Sequence, residues 1–347
     1  MNAAPQFSVI LATRDRAALF GEALQSVLEQ TFEDTEIIVV NDGSSPDALP
    51  AYAAVLEAAQ ARLGDRLRSF LLVRRPKGHG QSYSLNFGVE QARGEYVAFL
   101  DDDDLWVDSG HLQRVADVLR GQREAGRRVD LYMGNQEALR GGERLAGPIW
   151  LEALHGRLQA QGRAPDAHGA YRVDVPDLLG VSGFCHLNCF AVRRDLWLQI
   201  GGMDEGVRWE CDRDVYLRLV DTGSCAVHHP AVTARHHVPD PKAGTSMTTS
   251  LNQLERRLWQ VRVMDKSALF LQHPLLRAHA RLHKAYALKR IAEELARQQS
   301  WRTARYYAAQ GLAAQPTFKW ALFTAYCGLR QLAQRRSPQS GPTATER

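Results

Sequence analysis

Four apolar runs, each followed by a stretch that suits a helix or a turn, fill the first hundred residues: FSVILA (7–12), TEIIVVN (35–41), RSFLLV (68–73) and EYVAFL (95–100). Short runs rich in branched and aromatic residues read as buried strands, and the helical stretches fall at about 17–30, 47–62 and 81–92. Strand and helix in alternation predict a mostly parallel sheet covered by helices. The fourth run passes directly into Asp101, Asp102, Asp103 and Asp104. Ligands of open α/β sheets bind outside the carboxyl ends of the strands, so the chemistry is expected there.

The pattern loosens afterwards. A helix at 109–124 and a strand near 129–133 precede an irregular Gly- and Arg-rich stretch over about 135–180. VSGFCHLNCFAV (181–192) reads as a strand, RRDLWLQIGG as a short helix with its glycine stop, and ECDRDVYLRLVDTG (210–223) as a helix. His228 and His229, before Pro230, look like strand-end residues, and HHVPDPKAGTSMTTS (236–250) reads as a loop. From Leu251 to about Arg336 nearly everything is helix-compatible, and 337–347 reads as a disordered tail. The expected organisation is an α/β body over 1–250, a helical extension over 251–336, and the tail. Within the extension, 284–316 looks like one tetratricopeptide-like helix pair, which cannot bury its own face unaided.

Bulk properties narrow the class. A hydrophobic content of 45% with 24% charged residues excludes a disordered or fibrous chain. No apolar run reaches the roughly 18 residues that span a bilayer, and the start of the chain lacks a signal-peptide pattern. A cytoplasmic protein is expected, with peripheral attachment to the inner face of a membrane as an option. The five cysteines are scattered without a CxxC pair and read as reduced thiols. Cys185, Cys189 and His186 lack the second pair that a zinc site needs. The net charge of +4 is uneven, −8 over the first 250 residues and +12 from 251 onward. Within 316–336, Phe318, Trp320, Leu322, Phe323, Tyr326, Leu329 and Leu332 stand among basic ends. That composition suits a helix on an anionic membrane surface, a helix facing a core, or an oligomer contact. The basic residues carry no nucleic-acid-binding motif, so no nucleic acid partner is expected.

Four adjacent carboxylates repel one another unless a cation neutralises them. An all-oxygen set with no cysteine suits Mg2+ or Mn2+. The turn after the first strand, ATRDR, has no glycine and cannot form the phosphate cradle of a dinucleotide fold. No GxxxxGK[ST] loop occurs either. A diphosphate bound here would have its charge met by metal.

SVILATRDR, VVNDGSS, NFGVEQARGEYVAFLDDDDLW, GGMDE and ECDRDVYLRL resemble, in order and spacing, the family 2 glycosyltransferases over about residues 6–240. The resemblance implies a GT-A-type nucleotide-binding fold, with a nucleotide-binding half over 1–105 and an acceptor half over 106–250. It implies an inverting transfer from a nucleotide-diphosphate sugar to a glycan or lipid-linked acceptor, in the setting of bacterial surface polysaccharide assembly. Carried over residue by residue, Thr13, Asp15, Asp42, Asn86, Asp101 and Asp102 would face the donor nucleotide. Asp103, with Asp101 and His237, would hold the metal. Asp212 would be the base that takes the acceptor's proton, with Glu210 second. Two positions depart from the pattern: Leu85 stands where many relatives have Arg, and Cys211-Asp212 where they have Glu-Asp. Arg74, Arg75 or Lys77 are candidates to replace the missing positive contact. On a helix Glu210, Asp212 and Asp214 cannot share one face, and Asp214 is placed to pair with Arg218. Two rivals stay open, a sugar-phosphate nucleotidyltransferase and a non-catalytic relative that binds a sugar nucleotide or acts as a scaffold.

Overall fold

The computed structural model describes residues 4–145, 149–238 and 251–336. The chain divides into two compact units, Met1–Ser250 and Leu251–Arg347. In the first, β1 (Phe7–Thr13), β2 (Thr35–Asn41), β3 (Leu67–Leu71) and β4 (Tyr96–Phe99) run parallel in the order β3–β2–β1–β4. Helices α1 (Ala17–Leu28), α2 (Leu49–Leu63) and α3 (Gln81–Gln91) make the crossovers. Phe7, Val9, Ile10 and Leu11 of β1 are wholly buried. Each such side chain contributes about 1.5–3 kcal/mol on burial, which favours a central place for this strand.

Beyond β4 the sheet continues through strands that come later in the chain. β9 (Phe190–Arg193) lies antiparallel to β4, and β6 (Leu131–Arg140) antiparallel to β9. β10 (Ala226–His237) then runs parallel to β6, and the short β5 (Leu105–Trp106) antiparallel to β10. β7 (Glu143–Arg144) pairs with β6 and β8 (Tyr171–Val173) with β10. Helices α4 (His111–Glu124), α5 (Glu152–Ala160), α6 (Val175–Leu179), α7 (Arg194–Gln199) and α8 (Cys211–Thr222) complete the unit.

Two readings of the sequence change. His228 and His229 do not end a strand: β10 continues to His237, with register breaks between His228 and Val232 and between Val232 and Ala234. Pro230 has no N–H to give the ladder, and the bulge absorbs it without ending the pairing. Strand structure over 181–192 is confined to its end. Leu187–Cys189 forms a 3-10 turn, and Gly183 runs so close to Trp150 that a Cβ would fall 1.8 Å from its carbonyl oxygen. The loop expected over 236–250 lies, from 239 onward, outside the described residues.

The second unit contains α9 (Gln253–Phe270), α10 (Pro274–Arg297), α11 (Trp301–Ala314) and α12 (Phe318–Arg336), each packed on the next. Asn252 opens α9 with a capping box: its Oδ1 accepts from the Glu255 amide at 3.0 Å and Glu255 Oε2 accepts in return at 2.8 Å. No described helix is long and apolar enough to cross a membrane. All five cysteines are free, and among the described residues Cys185, Cys189 and His186 form no metal-ligating group.

Two histidines bear on stability. His111 is fully buried with neither ring nitrogen hydrogen-bonded, and burial, with the charge of Arg114, pushes it down to about 3. Burial, with His229, pushes His228 down to about 4. The unfolded rings take their protons near 6.5, so this contribution is intact above pH 6.5 and is lost as pH falls toward 4. Each ring is expected to cost about 1.4 kcal/mol per pH unit over that window. Urea unfolding at pH 8 and pH 5 measures this: His111→Phe should flatten the pH slope, and an unchanged slope contradicts the assignment.

Candidate active site

Three loops close over the carboxyl edge of the parallel strands. After β1, Asp15 takes a left-handed conformation (φ 54°). Its amide donates to Ser44 Oγ at 2.9 Å and its Oδ1 accepts from the Ser45 amide at 2.6 Å. After β2, Asn41 Oδ1 accepts from the Ser44 amide at 2.8 Å and closes a tight loop. Gly43 is required in it: φ is 67°, and a Cβ would lie 2.6 Å from Arg74 Cα. Asp42 reaches to the loop before α3 and accepts from the amides of His79 at 2.8 Å and Gly80 at 3.0 Å. Thr13 is buried with its hydroxyl 2.8 Å from that of Tyr52. The three loops form one floor.

The acidic turn after β4 stands beside that floor. Asp101 Oδ1 accepts from Gln81 Nε2 at 2.7 Å, and its amide donates to Asn188 Oδ1 at 3.0 Å. Asp102 points inward, is almost fully buried, and pairs with Arg16. Asp103 is more open and receives Arg16 Nη1 at 2.7 Å. Asp104 is wholly buried and takes three donors: Asn188 Nδ2 at 2.6 Å, His236 Nδ1 at 2.7 Å and the His237 amide at 2.7 Å. The bulge in β10 has a consequence here, since the strand's last two residues reach the acidic turn. His237 Nδ1 lies 2.8 Å from the Asp103 carbonyl. A carbonyl only accepts, so Nδ1 donates, and Nε2 is the ring nitrogen left to face a ligand.

On the far side, Glu210 precedes α8 in a left-handed conformation (φ 64°) and pairs with Arg213 at 2.6 Å. Asp214 is buried against Arg218 at 2.7 Å. Asp212 instead faces the cluster. Its Oδ2 lies 3.4 Å from His186 Nε2, which is 3.9 Å from Asp101 Oδ2. Trp150 stands edge-on to His236 and His186, at centroid distances of 5.6 and 6.1 Å.

The charges respond to this crowding. Burial pushes the Asp101 carboxyl well above the usual range; His186 opposes this, while Asp104, Asp212 and Asp103 add to it. Burial also pushes Asp102 up to about 6 against the pull of Arg16. Burial works against the ionised form of Asp104 too, but the hydrogen bond and charge of His236, with His186 and the His237 amide, hold it below the usual range. For His186 burial opposes protonation, and the Asp212 hydrogen bond with the charges of Asp212, Asp101 and Asp104 outweighs it, holding the ring up to about 9.

Carboxylate oxygens of Asp101, Asp103 and Asp104 lie within 4.8 Å of one another. Hard oxygen donors crowded and partly desolvated fit a divalent cation such as Mg2+ or Mn2+. Of the residues singled out from the sequence, Thr13, Asp15, Asp42, Asp101, Asp103, Asp212 and His237 lie on this floor or around the acidic turn. The side chains of Asp102, Glu210 and Asn86 are engaged elsewhere: Asp102 with Arg16, Glu210 with Arg213, and Asn86 with the amide and carbonyl of Met203 at 2.8 and 2.9 Å. Leu85 is buried in the core. Arg16 reaches the acidic turn as a cation, and the sequence marks it, like Gln81 and Asn188, with no role of its own beyond the ATRDR motif. His186, weighed from the sequence only as a zinc ligand, and His236, the neighbour of the expected ligand His237, stand there too.

Residues 8–173 match the family model described as Glycosyl transferase family 2. An uncharacterized glycosyltransferase of Nostoc is 32% identical over 136 residues, 39% of either chain. A GalNAc(5)-diNAcBac-PP-undecaprenol beta-1,3-glucosyltransferase of Campylobacter jejuni is 40% identical over 100 residues, 29% of this chain and 30% of its own length. The aligned part thus spans well under half the length of these relatives. Among solved structures, S. aureus TarS in complex with UDP-GlcNAc superposes with a TM-score of 0.65 at 16% identity, over 94% of this chain and 88% of that one. A mannosyltransferase from Pyrobaculum calidifontis in complex with GDP-Man and Mn2+ does so with a TM-score of 0.56 at 20% identity, over 96% and 87%. The fold is a GT-A-like α/β arrangement with C-terminal helices. The family match covers β1 to β8 and stops before His186, Asp212 and His236.

Arg16 gives a test of the site's electrostatics. Arg16→Met leaves buried Asp102 without its partner and is expected to destabilise the protein by roughly 3 kcal/mol in urea unfolding. Adding Asp102→Asn should restore most of that loss, and no recovery in the double variant contradicts the pairing.

Proposed function

We propose that this chain is an inverting, metal-dependent glycosyltransferase that moves a sugar from a nucleoside-diphosphate sugar to an acceptor hydroxyl. The observation that carries it is the convergence of three carboxylates at the end of β4, with a fourth, Asp212, facing them through His186. Thr13, Asp15 and Asp42 line the floor on which base and ribose would rest, and Asp101 and Asp103 present the more open carboxylates. A divalent ion held by Asp101 and Asp103, with His237 through Nε2 and the buried charge of Asp104 behind them, would offset the charge that develops on the departing nucleoside diphosphate.

Asp212 takes the proton of the attacking hydroxyl. His186 fixes the orientation of that carboxylate at Oδ2. Glu210 is spent on Arg213 and Asp214 on Arg218, which leaves Asp212 as the acid in the first turn of α8 that serves as base. Attack opposite the leaving group inverts the anomeric centre. The UDP-GlcNAc bound to S. aureus TarS supports a nucleotide-sugar donor, and the name of the Campylobacter jejuni protein supports a lipid-linked glycan as acceptor.

A thermal-shift screen of nucleoside diphosphates with and without Mn2+ tests the donor site, since binding to the folded state raises apparent stability. One nucleotide should raise the melting temperature in a metal-dependent way, and a shift indifferent to metal contradicts the reading. With the donor so identified, Asp212→Asn is expected to lower kcat for transfer or donor hydrolysis by about 100- to 10,000-fold. Glu210→Gln should cost less than about tenfold. Equal losses would move the base elsewhere.

A further inference from the structure

We propose that the outer face of α12 docks on an anionic lipid bilayer. The helix carries apolar residues on two opposite sides. On one, Cys327 is wholly buried and Phe323 packs with it against Trp301 and Ala304 of α11. Lys289 Nζ over Trp320, at 5.3 Å, and the Arg330 guanidinium over Trp301, at 4.8 Å, clasp that side. On the other, Phe318 is 80% exposed, Leu329 68%, Leu322 55%, Leu332 53% and Tyr326 47%. At helical spacing these five fall within an arc of about 120°, centred opposite Cys327. A helix that needed only its inner face would carry polar residues there.

The charge around the stripe chooses its occupant. Residues 295–336 hold seven Lys or Arg and no Asp or Glu. Arg302, Arg305 and Lys319 are exposed. A second copy would set the same positive charges against themselves in a two-fold contact. Nucleic acid would leave the apolar stripe unburied. A bilayer rich in anionic headgroups meets both halves of the pattern, burying the stripe at the headgroup boundary while its phosphates neutralise the flanking cations. Since no described helix can cross a membrane, the helix would lie along the surface.

Membrane docking is independent of the transfer reaction, and vesicle binding alone tests it. The full chain is sedimented with vesicles of phosphatidylcholine, and with vesicles in which about a quarter of the lipid is phosphatidylglycerol. Binding to the anionic vesicles should be at least about tenfold tighter. The paired substitutions Leu322→Glu and Leu329→Glu, both on exposed positions, should weaken it at least about tenfold with the melting temperature unchanged. Arg302→Gln with Lys319→Gln should weaken it by about 30-fold. No binding to anionic vesicles, or equal binding by the Leu322/Leu329 variant, overturns the proposal. A concentration-dependent dimer that the same Leu substitutions dissolve, without vesicle binding, also overturns it and assigns the stripe to a second copy.

Discussion

A buried carboxylate with no exit to water holds the candidate site together. Asp104 is wholly buried, and its negative charge is tolerable because Asn188, His236 and the amide of His237 donate to it. An unpaired buried charge would cost several kcal/mol. The three donors lie more than 80 residues away in sequence, so the charge ties β4, the turn before β9 and the end of β10 to one point. Asp101 and Asp103, which alternate with the anchored Asp102 and Asp104, are thereby held at the surface of the turn.

Around that point the chain arranges positive charge sparingly. Arg16 meets Asp102 and Asp103, while His186 stands between Asp101 and Asp212. The cluster stays acidic enough to attract a divalent ion, yet its most buried members are paired, as buried charges must be. The bulge at Pro230 belongs to the same design. It lets a strand containing proline keep its place in the sheet long enough to deliver His236 and His237.

What was legible in the sequence follows from range. The parallel strands and the four aspartates could be read because apolar runs and an abrupt charge are local patterns. Asp101 and Asp103 belong to that local pattern, whereas Asp212 is reached only through the family resemblance; in the structure it faces the same turn. Asn188, Gln81 and His186 were illegible, since a lone polar residue shows its purpose only once a distant partner is in place. Pro230 misled because a proline weakens a strand on average, and a bulge escapes that average. Asp102, Asn86 and Glu210 illustrate a different limit. A motif says that a residue matters, but not which way its side chain turns, and all three are spent on internal contacts.

The central claim is that the acidic turn after β4 binds a divalent cation in concert with a nucleoside diphosphate. Titrating Mn2+ into the protein while following free Mn2+ by electron paramagnetic resonance, with and without the nucleotide, measures that directly. The account predicts one site per chain that tightens when the nucleotide is added and disappears in Asp101→Asn with Asp103→Asn. Mn2+ binding that is unchanged in that double variant, or indifferent to nucleotide, would contradict it.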